Sequence, residues 1–307
     1  MQTTIVALLP IFLLILLGYI LKRVSFPSLQ FWKYADKFTY YVLFPSLLIY
    51  KLSTASLENI DGVSFVSTAI IALIVISILL IILSKFLFLF ENRSFTSVYQ
   101  GSIRFNTYVF LALISAMLGD EGIVLAAFLI TFMIPIINIF CISIFAIYSN
   151  SEKVSGESIL KSIFKNPLIL ACIVGGGLNF FDVSLYVPIE KILSILSVFA
   201  LPLGLLSVGV GLHIKHIKEV KLELLTSLFL KLALLPVIMF FIAIQFEVTY
   251  LQLVVLTLFA SMPTAPSAYI LATQLNGDVK LMSSIITVQT LISIFTILVI
   301  STVLQST

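Results

Sequence analysis

Two polar breaks interrupt otherwise apolar stretches of this chain. The first to catch the eye is Ser261-Met262-Pro263-Thr264-Ala265-Pro266-Ser267-Ala268-Tyr269, inside an apolar run from about Leu251 to Gln274. Its two prolines, three apart, remove two backbone donors and leave carbonyls out of register. In lipid an unpaired carbonyl is costly, so such a break survives only where protein or a water-filled cavity satisfies it. Offset by 157 residues lies Arg104-Phe105-Asn106-Thr107-Tyr108, in which Asn106 matches Pro263 and Thr107 matches Thr264. The chemistry on offer is that of binding. Asn106, Thr107, Thr264 and Ser267 carry donors, and the N-termini of half-helices carry positive partial charge.

Further groups stand near this pair in the sequence. Arg104 precedes Asn106 by two, and its planar fork suits a carboxylate; the alternative is a side chain that snorkels to the interface. Lys231 falls mid-way along an apolar run, where an ammonium is expensive and so points to function, or else faces carbonyls freed by Pro236. Tyr108 and Tyr269 line a cavity or simply pack. Ser46 and Tyr50 could face the same cargo from another helix, while Pro45 and Pro202 read as kinks. No mid-span Asp or Glu is apparent: Asp120, Glu121 and Asp278 sit at span ends, and Asp36 crowds the start of a span beside Lys33 and Lys37. His213 and His216, three apart, read as solvated rather than as metal ligands. His-Glu-x-x-His, Gly-x-Ser-x-Gly and phosphate-loop patterns are missing, so neither catalysis nor a cofactor is expected.

The elements that must hold these residues are membrane helices. The chain has 307 residues, 61% hydrophobic and 10% charged, against roughly 25% charged in a soluble domain. The net charge of +3 and the lack of a basic cluster argue against nucleic acid. Cys141 and Cys172 lie in apolar runs and read as buried free thiols. At about 20 apolar residues per span, ten spans are expected: Thr4–Leu21, Tyr34–Leu52, Val63–Leu83, Ser97–Leu118, Gly122–Tyr148, Pro167–Phe181, Ile189–Leu212, Leu222–Ile244, Leu251–Gln274 and Leu281–Leu304. Met1-Gln2-Thr3-Thr4 lacks the basic start of a signal peptide, so the first run is expected to remain as a span.

Of the 17 Lys and Arg, 14 fall in or beside the connections after odd spans and only Lys51 and Lys191 in the even ones. By the positive-inside rule the odd connections are cytoplasmic and both termini lie outside the cell membrane. Landmarks repeat at the same offset: Pro10 and Gly18 with Pro167 and Gly175, and Pro45 with Pro202. Residues 1–150 thus read as one five-helix repeat, 151–166 as a cytoplasmic linker and 167–307 as the second repeat. Five spans is an odd number, so the second copy enters inverted, the plan of many secondary transporters, with a site at the midplane. At about 1.5 Å per residue, Asn106 lies roughly 13 Å from the cytoplasmic side. Pro263 lies roughly 18 Å from the outside, in a core of about 30 Å.

At this point the residues resemble a known family. Gly101-Ser102-Ile103-Arg104-Phe105-Asn106-Thr107-Tyr108, Gly119, the stretch from Met262 to Ala272, and Gln289-Thr290-Leu291-Ile292-Ser293 are similar to the auxin efflux carrier family over the whole chain. Its bacterial members are described as malonate, malate or other dicarboxylate permeases and its plant members as PIN-type auxin exporters. The resemblance implies a scaffold of spans 1, 2, 6 and 7. It implies a moving transport domain of spans 3–5 and 8–10, with broken helices 4 and 9 crossing at the midplane. It also implies a homodimer and a role for Gln289 near the crossing. Leu111 and Leu113 stand where many relatives carry Gly and Pro, so the fourth helix is either broken by Asn106 and Thr107 or barely broken. The expectation is an all-α polytopic transporter of a small organic anion, working by elevator-type alternating access with a proton, sodium or no coupling ion. The competing expectation is a channel or sensor that binds the anion without a cycle.

Overall fold

The computed structural model describes residues 2–55, 61–87, 90–148, 165–214 and 222–306, and these are helical with no strand among them. In chain order the helices are α1 (Gln2–Arg23), α2 (Leu29–Phe38), α3 (Phe44–Ser53), α4 (Gly62–Leu87), α5 (Asn92–Ile103), α6 (Thr107–Tyr148), α7 (Pro167–Phe180), α8 (Val187–Gly211), α9 (Leu222–Phe229), α10 (Leu235–Gln245), α11 (Tyr250–Ser261), α12 (Ser267–Gln274) and α13 (Val279–Ser306). Among the described residues, six helical stretches are long and apolar enough to cross a bilayer, and α7 and α11 are shorter apolar helices. Along α1 and α8, Leu9, Leu13, Leu16, Ile192, Ile195 and Phe199 are exposed. Outward-facing apolar side chains are what a lipid-bathed surface requires. Most of the linker expected at 151–166, and His216, lie outside the described residues.

Where the helices depart from regularity, a residue explains it. α2 and α3 are joined by a π-helical segment, Thr39–Leu43, with the Phe44 N–H donating to Thr39 O. α9 and α10 are joined by another, Leu230–Leu234, closed by the Leu235 N–H on Leu230 O. Each lies just ahead of a proline, Pro45 or Pro236. The wider turn absorbs the register lost where the ring removes an N–H and crowds the preceding carbonyl. Within α6, Gly119 breaks the helix with φ 62° and ψ −147°, a conformation open in practice only to glycine. This break lies between the expected fourth and fifth spans.

Packing is closest where side chains are smallest. α1 lies against α8, and α3 against α7 and α8. A Cβ on Gly18 would collide with the Leu206 carbonyl, and one on Gly209 with the Ile15 carbonyl. Backbone thus touches backbone, as small residues permit in membrane helix pairs. Gly175 does the same for α7 against Ile49 of α3, whereas Gly176 and Gly177 face open space. A second set joins α10 to α4 and α11, and α5 to α9 and α13; α6 touches members of both sets.

Candidate functional site

The site is built where two helices stop. α5 ends at Ile103, and residues 104–106 are non-helical, with Arg104 extended at φ −71° and ψ 153°. The chain resumes as α6 at Thr107. No proline is present, so the break rests on Asn106, whose Oδ1 accepts from the N–H groups of Tyr108 (3.1 Å) and Val109 (3.3 Å). That is an N-cap, and Asn is among the best capping residues. α11 ends at Ser261, residues 262–265 are non-helical, and α12 starts at Ser267. The two breaks touch: the Asn106 N–H donates to the Pro263 carbonyl at 2.8 Å. The pair aligned in the sequence is thus a physical contact, and the fourth expected span is fully broken despite Leu111 and Leu113.

A buried polar network ties the breaks to two further helices. The Gly101 carbonyl would receive the Phe105 N–H in an unbroken helix. Here it accepts instead from Thr264 Oγ1 (2.9 Å) and Gln289 Nε2 (2.8 Å). Gln289 Oε1 accepts the Thr264 N–H at 2.9 Å, and its Nε2 also donates to Ser227 Oγ at 3.1 Å. Thr264, Gln289 and Ser227 are all at 0% exposure. Glycine is required at 101, because a Cβ there would strike Ser227 Oγ and Ile285. Thr264 and Gln289 hold the crossing together in this state, with their groups already occupied.

What remains unoccupied is instructive. The two N–H groups on Asn106 Oδ1 fix the orientation of the amide, so Nδ2 points away from them. Nδ2 is buried and lacks a partner, a donor held ready at the break. Arg104 does not lie free at the crossing: Nη2 donates to Asn138 Oδ1 of α6 at 2.8 Å, while Nε is buried without a partner. Lys231, in the π-helical segment, is at 0% exposure with no hydrogen-bond partner; its Nζ lies 5.9 Å from the Phe259 ring centroid. Phe259 in turn packs on Phe105 (4.5 Å) and Phe110 (5.6 Å), either side of Asn106.

The remaining expected residues are spread around this centre. Thr107 is half-buried at the first position of α6, and Tyr108 stacks on Phe44 of α3 with centroids 4.5 Å apart and planes 9° apart. Ser267 is exposed at the start of α12, and Tyr269 is 40% exposed and stacked with His213 at 6.3 Å. Ser46 is turned to its own helix, bonding Val42 O at 2.8 Å. Cys141 and Cys172 are buried free thiols, and no cluster of metal-ligating residues occurs among the described residues.

The sequence reading passed over two residues that structure the site, Asn138 and Ser227. Asn138 is the one amide in the apolar run from Gly122 to Tyr148, and Ser227 precedes Lys231 by one helical turn, so both left a signal. Asp36 is exposed on α2, at the start of the expected second span. The π-helical turn joins α2 to α3, so the two belong to one helical path from Leu29 to Ser53.

Comparison with known proteins identifies the family of the chain. The chain matches the model of a family described as "Membrane transport protein" over residues 3–301. It is 25% identical over 304 residues to a Rhizobium meliloti protein named "Putative malonate transporter", covering 94% of this chain and 92% of that one. It is 25% identical over 296 residues to an "Uncharacterized transporter" of Methanocaldococcus jannaschii, covering 94% of each.

Proposed function

Because the chain belongs to the membrane transport protein family, that of the auxin efflux carriers, we propose that it carries a small organic anion across the cell membrane by elevator-type alternating access. The observation that supports this most is the unpartnered Asn106 Nδ2, oriented by its own cap at the contact between two broken helices. A donor with no acceptor in a dry site lacks a hydrogen bond that a cargo oxygen would supply. The α6 N-terminus adds positive partial charge on the same side. Thr107, Tyr108, Ser267 and Tyr269 line the approach, and Arg104 and Lys231 contribute positive charge behind it. A mono- or dicarboxylate such as malonate or malate fits these donors.

In this reading the chain has ten spans in two inverted repeats, 1–150 and 167–307, with both ends outside. α1, α2, α3, α7 and α8 form a scaffold and the remaining helices carry the crossing. The exposed faces of α7 and α8 would meet a second copy in a homodimer. The cycle runs with a proton, with sodium or with no coupling ion.

The test is uptake into proteoliposomes together with ligand-induced thermal stabilisation, across mono- and dicarboxylates, with and without sodium. A cargo that binds only the folded state raises stability by RT ln(1 + [L]/Kd). Saturable uptake of a carboxylate, lost in Asn106→Ala, is the expected result. Linear, unsaturable currents would replace the carrier by a channel, and wild-type uptake in Asn106→Ala would move the site elsewhere. A cysteine at Ser155, which lies outside the described residues, should be labelled from the cytoplasmic side alone.

A further inference from the structure

We propose that the crevice between α1 and α13 binds an anionic phospholipid, with one acyl chain laid along α1 and the phosphate held at Lys22 and Arg23. The inference needs only a chain embedded in a bilayer and goes beyond the anion-carrier reading. The crevice has a volume of about 360 Å³, within the range of about 300–1,000 Å³ common to ligand sites. It follows α1 from Ile5 to Tyr19, reaches Leu212 and Ile214 beyond α8, and has Ile294 and Leu298 of α13 as its far wall. α1 and α8 belong to one of the two sets of helices described above and α13 to the other. The crevice is space that the side chains of the two sets leave between them.

Its walls decide what it can hold. Thr290 is a polar residue of the lining, but its Oγ1 is spent on Ile286 O at 2.7 Å. The Tyr19 hydroxyl belongs to the end of the crevice and not to its length. A carboxylate laid along this wall would meet no free side-chain donor, and its lost hydration would go uncompensated. Leu9, Leu13, Leu16 and Leu291 line the crevice and are exposed, so it opens sideways to whatever bathes the helices. In a bilayer that is hydrocarbon. Ile5 and Tyr19 are roughly 21 Å apart along the helix at about 1.5 Å per residue, against about 15 Å for one leaflet of a core about 30 Å thick. An acyl chain of one leaflet fits along it whole.

The Tyr19 end suits a negative head. Tyr19, Lys22 and Arg23 are neighbours on α1, at spacings of three and four residues. Lys22 is half-buried and its Nζ donates to the Leu212 carbonyl at 2.8 Å, and Leu212 itself lines the crevice. That bond holds the ammonium at the mouth with two donors left over. Arg23 is exposed one residue on, with a fork that suits a phosphate. α1 and α13 carry no acidic residue, and Glu190 of α8 is at the far end of that helix. The C-termini of α1 and α8 each bring about half a negative charge, so the two cations leave an excess of about one positive charge. Charge and length together select a lipid with a phosphate and no compensating amine.

The experiment titrates the full-length protein in detergent with phosphatidylglycerol and, separately, with phosphatidylcholine of the same acyl chains, and counts bound lipids by native mass spectrometry. The wild type should retain one phosphatidylglycerol per chain at least about ten-fold more tightly than phosphatidylcholine, since each basic residue near an anionic headgroup strengthens binding about five-fold. Lys22→Gln combined with Arg23→Gln should abolish that preference. Ile294→Trp, which fills the crevice from the other helix, should lose the same lipid, whereas Phe295→Trp, on a neighbouring side chain 71% exposed, should keep it. All three losses of the crevice and its mouth together should lose no more than Ile294→Trp alone. Should the double variant fail to fold, Arg23→Gln leaves the Lys22–Leu212 bond in place and should still weaken retention about five-fold. Equal retention of both lipids by the wild type, or full retention in Ile294→Trp or in Arg23→Gln, overturns the site. So does a protein dimer that dissociates in Ile294→Trp, which would put a second copy in the crevice. Carboxylate uptake plays no part in the readout, so failure here leaves the carrier reading untouched, and failure of that reading leaves the lipid site standing.

Discussion

The network around Gly101 allows a sharp energetic test. Gly101 O is served by two side chains, Thr264 and Gln289. In Thr264→Val one donor goes, but Gln289 still satisfies the carbonyl, so the loss should be that of an ordinary hydrogen bond, about 0.5–1.5 kcal/mol. In Gln289→Met the shape is roughly kept, but the buried Thr264 N–H loses its acceptor, at about 1–3 kcal/mol. In the double variant Gly101 O loses both donors inside a dry break. That adds a penalty present in neither single variant, again about 1–3 kcal/mol. The double variant should therefore be less stable than the sum of the singles by at least about 1 kcal/mol, a coupling typical of residues that share one partner. Equilibrium unfolding in mixed micelles, run on all four proteins, reads this directly. Additivity within about 0.5 kcal/mol would mean that water or a shifted backbone serves Gly101 O, and that the break is wetter or softer than its 0% exposures imply.

Other outcomes follow from single contacts. Asn106→Asp should keep the cap on Tyr108 and Val109 and retain stability while losing anion binding; Asn106→Ala should lose both, with about 1 kcal/mol of stability, as thermal unfolding and uptake would show. Gly209→Ala should destabilise by about 1–3 kcal/mol because its Cβ meets the Ile15 carbonyl, whereas Gly176→Ala, which meets nothing, should stay within about 0.5 kcal/mol in the same assay. Lys231→Met should be neutral or stabilising, since it removes an unpaired buried amine, yet should reduce uptake if that amine supports the anion; lost stability would reveal an unseen partner. Breaking the Lys51–Asp120 pair, in which Asp120 is 75% exposed, should cost under about 1 kcal/mol.

Much of the site was legible because prolines and lone polar residues stand out in apolar runs. Pro263 and Pro266 marked the second break, and the constant offset carried that mark to Asn106. The first break was harder to read, because it depends on a capping amide and not on a missing donor. Gln289 could be placed only by resemblance: its partners come from three other segments, and sequence spacing says nothing of them. Arg104 looked aimed at the crossing, but Asn138 lies 34 residues further on and draws one arm of it away.

The four helix ends that meet at the crossing come in opposite pairs, the C-termini of α5 and α11 and the N-termini of α6 and α12. Each end carries about half an elementary charge, two positive and two negative, and together they come to nearly nothing. A membrane potential does work of about 2.3 kcal/mol per elementary charge per 100 mV, but on these backbone dipoles the contributions oppose one another. The voltage dependence of turnover therefore reports on side chains and cargo alone. Its slope would count the charges that cross.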